Sequence, residues 1–145
     1  MDNVILEWVQ GPVQLVSMYE KIQQHSTHTE VGALATFAGI VRADTIQGQV
    51  VQSIRFTAYT DMAMAALSAA LKSIELVKEA HRIQVFHSLG EVPTGACCMW
   101  IVVESKRRVT ALQLCAEIVE VVKFQLPIWG EEIVSDTHRY WKENT

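Results

Sequence analysis

At 145 residues, half of them hydrophobic and 19% charged, the chain has the composition of one packed domain and not of a disordered segment. A formal net charge of -4 excludes general tracking of nucleic-acid phosphates, which needs a basic surface, and no run approaches the ~20 apolar residues of a membrane span. The opening MDNVILEWVQ carries early acids and only a short apolar run, unlike a secretory leader, so the expected compartment is the cytoplasm.

In chain order, residues 4–9 alternate loosely as a short strand, and Gly11-Pro12 breaks it before an amphipathic helix from about Gln14 to Gln24. The polar run His25 to Glu30 reads as a loop. Val31 to Val41 is small and apolar, a buried strand that delivers Arg42 at its end. The following ADTIQGQV is turn-rich and expected to be mobile. Val50 to Tyr59 alternates as a strand, and Thr60 or Asp61 is placed to cap the next helix, in which Ala63, Leu67, Ala70, Leu71, Ile74 and Val77 share one face. Arg82 to Leu89 and Ala96 to Glu104 read as strands joined by a wide turn over 90–95. The last helix is expected from about Arg107 to Phe124, with Pro127 preventing its continuation, and then a short tail. This order predicts a single α+β domain over 1–145, a largely antiparallel sheet with helices on one face.

The chemistry-bearing residues concentrate between Ser105 and Glu132. Lys106, Arg107 and Arg108 form a cationic cluster at a helix start, where positive charge opposes the macrodipole and a bound anion would relieve the clash. Lys123 is either a reactive lysine or, three residues after Glu120, one half of a solvated helix salt bridge. Fifteen residues at 1.5 Å rise put Arg108 and Lys123 about 22 Å apart, too far for one small ligand within one subunit. If both serve one site, the expectation is a homodimer with composite sites. Arg42, at a strand end beside a loop, is a further candidate for binding. His87, inside a strand, reads as a partly buried, hydrogen-bonded histidine; His25, His28, His81 and His138 lack metal spacing. Cys97, Cys98 and Cys115 read as reduced structural thiols, the first two facing opposite sides of a strand.

Taken together, Gly32-Ala33 through Phe37-Ala38-Gly39-Ile40-Val41-Arg42, Ala58-Tyr59 with Met62-Ala63, His87-Ser88-Leu89-Gly90-Glu91, and Ser105 to Glu132 resemble the large catalytic subunit of molybdopterin synthase. The resemblance implies an α/β hammerhead-like fold with a small additional sheet. It implies sulfur transfer from the thiocarboxylated, glycine-ended tail of a small ubiquitin-like carrier subunit onto cyclic pyranopterin monophosphate, forming a dithiolene. A homodimer of large subunits with a small subunit on each, a heterotetramer, is implied, without a cofactor or metal of its own. Carried over residue by residue, Lys123 falls on a catalytic position, Arg42, Arg107 and Arg108 on phosphate and substrate positions, and Phe37 on a pocket wall. Pro127, Ile128 and Trp129 fall on contacts to the partner's tail.

The chain departs from the family pattern in places. Arg107-Arg108 stands where His-Arg is usual, His87-Ser88 where His-Arg is usual near the hairpin, and Thr57 where Glu is usual before Ala-Tyr. Gly130-Glu131 follows Pro-Ile-Trp where the family has a second lysine, so an active enzyme needs either Lys142 or Arg139 as a substitute or Lys123 acting alone. Three readings stay open on the sequence: an active synthase, a noncatalytic relative that docks ubiquitin-like tails or regulates the synthase, and an unrelated α+β domain that binds a phosphorylated metabolite.

Overall fold

The computed structural model describes residues 3–25 and 29–145. The described residues form β1 (Val4–Gln10), α1 (Leu15–His25), β2 (Ala33–Ile40), β3 (Thr45–Ile46), β4 (Gln49–Val50), β5 (Ser53–Ala58), α2 (Thr60–Lys72), β6 (Ala80–Pro93), β7 (Cys97–Ser105), α3 (Arg108–Gln125), β8 (Ile128–Ile133) and β9 (Arg139–Trp141), with a 3-10 turn over Glu75–Glu79. Of the loop expected over 25–30, His25 is instead the last residue of α1, residues 26–28 lie outside the described residues, and 29–30 form a turn.

The main sheet runs β2-β7-β6-β5-β8-β9, with β1 added parallel to β6 and every other pairing antiparallel. The fourteen-residue β6 holds it together: its first part pairs with β7 and β1, and from Gly90 to Pro93 it pairs with β5. Gly90, at φ 80°, takes the left-handed conformation open to glycine at the point where the strand changes partners. The small additional sheet is the hairpin β3–β4, turned by Gln47 and Gly48 at φ 49° and 79°. The segment expected to be a turn-rich connection therefore has regular pairing.

Three apolar clusters explain the layering. Ile83, Val85, Met99, Ile101 and Val103 pack under α2 and α3 through Leu67, Leu71, Leu114, Ile118 and Val122. The alternate residues Phe86, Trp100 and Val102 pack against Val13 and Ile22, the latter on α1. Helices thus cover both faces, not one as expected, which is why 83–88 and most of β7 are buried without alternation. Cys97 joins the second cluster and Cys98 contacts the other face. The third cluster, Val41, Val51, Ile54, Phe56, Val92 and Val134, is the core of the β5–β8 half.

Two local expectations are corrected. Neither Thr60 nor Asp61 caps α2; the cap position is Tyr59, whose N–H is held by the Pro127 carbonyl at 3.0 Å, so a tertiary bond replaces a side-chain cap. The helix ends at Lys72, and Val77 reaches the core from the 3-10 turn. Beyond α3 the tail is not irregular: β8 and β9 extend the sheet.

Candidate functional site

A cleft of about 480 Å³, in the size range of small-ligand sites, opens between the end of β2, the last turn of α3, β8 and the C-terminal residues. Phe37, Gly39, Ile54, Phe56, Met99 and Val122 supply apolar lining, and Arg42, Asp44, Lys123, Glu132 and Lys142 supply charge. The lining arises locally. Pairing between β2 and β7 shifts register at Gly39/Ile40, leaving Cys98 as the extra residue of a bulge, and such bulges re-aim side chains. Cys98 borders the cleft with its Sγ 3.4 Å from the Gly39 carbonyl, which accepts its proton. Burial pushes this thiol up to about 11, the neighbouring Cys97 adds to the rise, and the charges of Lys123 and Lys142 only partly oppose it, so it is an inert thiol at neutral pH.

Lys123 lies in the last turn of α3, where the macrodipole favours a cation, and is half-buried. The Glu120–Lys123 salt bridge does not form: among the described residues no carboxylate lies within 4.0 Å of either Lys123 or Lys142. The carbonyl of Lys123 accepts a 2.6 Å bond from the Asn144 amide, so the segment after β9 caps the helix that carries the lysine. Arg42 follows β2, is 67% exposed, and pairs with Asp44 at 3.2 Å, leaving donors of its guanidinium for a ligand.

His87 lines the cleft from β6 and fits the expectation of a buried, hydrogen-bonded residue. Its Nδ1–H donates to the Ser88 carbonyl at 2.8 Å, and its ring lies edge-on to Phe56 and Trp8. Burial drives its pKa down to about 4, so it is neutral at physiological pH and brings no charge to the cleft. Ile128 also lines the cleft. Trp129, its neighbour on β8, points to the opposite face, 44% exposed with its ring 5.1 Å from that of Tyr59, while Pro127 is tied to Tyr59 through its carbonyl.

Arg107 and Arg108 are not in this cleft. They line a second, shallower cavity of about 330 Å³ with Gly32, Lys106 and Val109 at the opposite end of α3. The structure therefore brings together Phe37, Arg42, Lys123 and Ile128, and sets Arg107, Arg108 and Trp129 apart from them. The sequence reading left out Cys98 and Glu132 as cleft residues, and it named Lys142 only beside Arg139 as a substitute for the missing lysine; of that pair only Lys142 lines the cleft, which it reaches through cross-strand pairing.

A sequence profile described as MoaE protein matches residues 10–125. The chain belongs to the MoaE family. It is 34% identical over 120 residues to the molybdopterin synthase catalytic subunit of Oryza sativa subsp. indica, covering 83% of this chain and 61% of the rice protein. It is 35% identical over 116 residues to that of Arabidopsis thaliana, covering 80% of this chain and 58% of the relative. The chain thus spans about three-fifths of the length of these curated relatives. A Helicobacter pylori structure described as a complex of subunits 1 and 2 of molybdopterin-converting factor superposes with a TM-score of 0.77 at 25% identity, over 94% of this chain and 88% of that one. Molybdopterin synthase from Staphylococcus aureus shares the fold, with a TM-score of 0.77 at 24% identity over 98% and 96% of the two chains. The α+β MoaE fold with its small two-stranded sheet agrees with the architecture expected from the resemblance.

Proposed function

We propose that this MoaE-family chain is the catalytic subunit of a molybdopterin synthase, moving sulfur from the C-terminal thiocarboxylate of a small ubiquitin-like carrier onto cyclic pyranopterin monophosphate to build the dithiolene. The observation that carries this reading is the position of Lys123: a half-buried lysine without a carboxylate partner, in a cleft of ligand size with Arg42 at its mouth. Arg42 holds the phosphate by forked hydrogen bonds. As the thiocarboxylate sulfur bonds to a pyranopterin carbon and displaces an oxygen from it, the Lys123 ammonium stabilises the negative charge developing on that oxygen or gives it a proton. Water then cleaves the acyl–sulfur bond and releases the carrier carboxylate. Phe37 and the apolar lining receive the pterin face. The glycine-ended tail of the carrier enters past Ile128, while Trp129, on the opposite face of β8, packs on Tyr59.

The separation of Arg107 and Arg108 from Lys123 supports a homodimer in which the arginines of one protomer complete the cleft of the other, with one carrier per large subunit in the cytoplasm. The decisive experiment mixes the purified chain with thiocarboxylated carrier and cyclic pyranopterin monophosphate and assays dithiolene product. Product is expected. Tight carrier binding without product would replace this reading with that of a docking or regulatory relative, and a strictly monomeric, fully active protein in sedimentation would remove the composite site.

A further inference from the structure

We infer that Lys142 is the second substrate-contacting cation of the Lys123 cleft, placed there by β9. The inference rests on the synthase reading above and deepens it. Two independent features of the backbone fix the placement. The Lys142 N–H donates to the Gly130 carbonyl at 2.8 Å, one step beyond the ladder pairs Glu131↔Trp141 and Glu132↔Tyr140. Residues opposite one another in an antiparallel pair point to the same face, and the face alternates along each strand. Glu132 faces the cleft, so Gly130, two residues before it, faces the cleft too, and Lys142 beside Gly130 projects the same way.

Gly130 leaves this level of β8 without a side chain. A Cβ built there would sit 3.0 Å from Ile54 Cγ2 and 3.3 Å from Phe56 Cε1, so a side chain would fit only if those two shifted by a few tenths of an ångström. The cation that reaches this part of the cleft comes from the neighbouring strand. The second feature is the bond from Asn144 to the Lys123 carbonyl, which ties the segment carrying Lys142 to the helix turn carrying Lys123. Lys123, Lys142 and Cys98 all line the same cleft. Arg139, the other cation of the tail, is spent elsewhere: it pairs with Glu131 at 3.3 Å and does not line the cleft.

Two half-buried ammonium groups in one cleft repel each other, and its own carboxylates do not pair with them: Asp44 pairs with Arg42 and Glu132 lies more than 4.0 Å from both, which leaves their charge to a bound anion. The cyclic phosphate and the incoming thiocarboxylate are both anions. Lys142 therefore binds the negative charge that Lys123 does not hold at a given step, and it acts through charge, not through its apolar stem.

The test compares wild type with Lys142→Met, which keeps the stem and removes the charge, with Lys142→Arg, which keeps the charge, and with Arg139→Ala as the control outside the cleft. Each is assayed for product with the loaded carrier and, separately, for equilibrium binding of cyclic pyranopterin monophosphate. The expected result is a loss of kcat/KM of at least about tenfold in Lys142→Met, the scale of one charge-assisted contact. Recovery to within a few-fold in Lys142→Arg and no change in Arg139→Ala are expected beside it, with circular dichroism unaltered in all. Wild-type kcat/KM in a folded Lys142→Met overturns the inference and leaves the synthase reading intact. If wild type binds the pyranopterin without making product and Lys142→Met weakens that binding, the synthase reading falls and the role of Lys142 in binding stands. If wild type neither binds nor turns over, both fall.

Discussion

The two ends of α3 carry the same kind of charge in opposite settings. At its C-terminal end Lys123 sits where the helix dipole favours a cation, walled by apolar residues of the main sheet and tied through its carbonyl to Asn144. At its N-terminal end Arg107 and Arg108 are exposed against the dipole, with no side-chain cap on the helix and a shallow cavity beside them. One end is a finished cleft and the other is half of one. A cationic patch that costs stability in the isolated chain and has no wall of its own fits a group offered to a neighbouring molecule.

The largest effect that can break this contrast is on turnover. Lys123→Ala is expected to abolish product formation, a loss of about 10²–10⁴-fold, with dimerisation and fold intact. Near-normal activity would remove Lys123 from the mechanism. Arg108→Ala is expected to lose activity as well, and mixing the two inactive variants sharpens the comparison. Random reassortment makes half of the dimers mixed, each with one wild-type site and one doubly altered site, so about a quarter of wild-type activity returns if sites are shared between protomers. No recovery after subunit exchange would place both residues in one chain's site.

The Lys123 cleft contains a buried titratable group that the Arg108 end lacks. His87 has a folded pKa of about 4 against an ordinary 6.5, because burial disfavours its charged form. Above pH 6.5 both folded and unfolded chains carry it neutral and its contribution to stability is complete. As pH falls from 6.5 toward 4 the unfolded chain gains a proton that the folded one refuses, and roughly 3 kcal/mol of stability is lost. Denaturant midpoints measured from pH 7.5 to 4.5 should fall more steeply in wild type than in His87→Gln, whose amide can still donate to the Ser88 carbonyl. Parallel curves for the two proteins would mean that His87 is protonated in the folded state.

Much of this contrast was legible before the structure, and the exceptions have one cause. Phe37, Arg42 and Lys123 belong to or end long, strongly patterned segments, Ile128 was named only through the family resemblance, and the cleft gathers all four. The 22 Å between Arg108 and Lys123 followed from helix rise alone. By contrast β3, β4 and β9 are two or three residues long, too short to show any period, and β9 delivers Lys142. Cys98 enters through a bulge whose register depends on β2, sixty residues earlier in the chain, and Gly130 matters because of what Ile54 and Phe56 fill. Such nonlocal pairing leaves no trace in a window of sequence. The expectation of helices on one face failed similarly: Phe86, Trp100 and Val102 are apolar on the side facing α1, and a strand buried on both faces does not alternate.

A smaller effect tests whether the Arg108 end is set by backbone packing. A methyl group on Gly32 would overlap the Lys106 carbonyl, so Gly32→Ala must displace the chain that presents Arg107 and Arg108. The expected cost is about 1–3 kcal/mol in chemical denaturation, with activity falling further than that loss of folded protein explains. Unchanged stability would show that the Gly32–Lys106 contact yields without strain.

The smallest effect carries the sharpest sign. Arg108 is the first residue of α3 and Arg107 its cap position; the helix's own first turn holds no acid, and the Glu79 carboxylate, which accepts from the Thr110 hydroxyl at 2.9 Å, pairs with neither arginine, so the clash between their charge and the exposed N–H groups is offset only in part. Removing one cation should therefore stabilise the free protein, by about 0.3–1 kcal/mol at low ionic strength, and the gain should shrink as salt screens the exposed pair. Lys123→Ala at the other end removes a cation from a favourable dipole position and should shift stability the opposite way. The two variants thus lose the same activity while moving apart in denaturant midpoint. If Arg108→Ala instead destabilises the chain, the arginine is held by contacts within its own protomer, and the case for its being offered to a neighbour is lost.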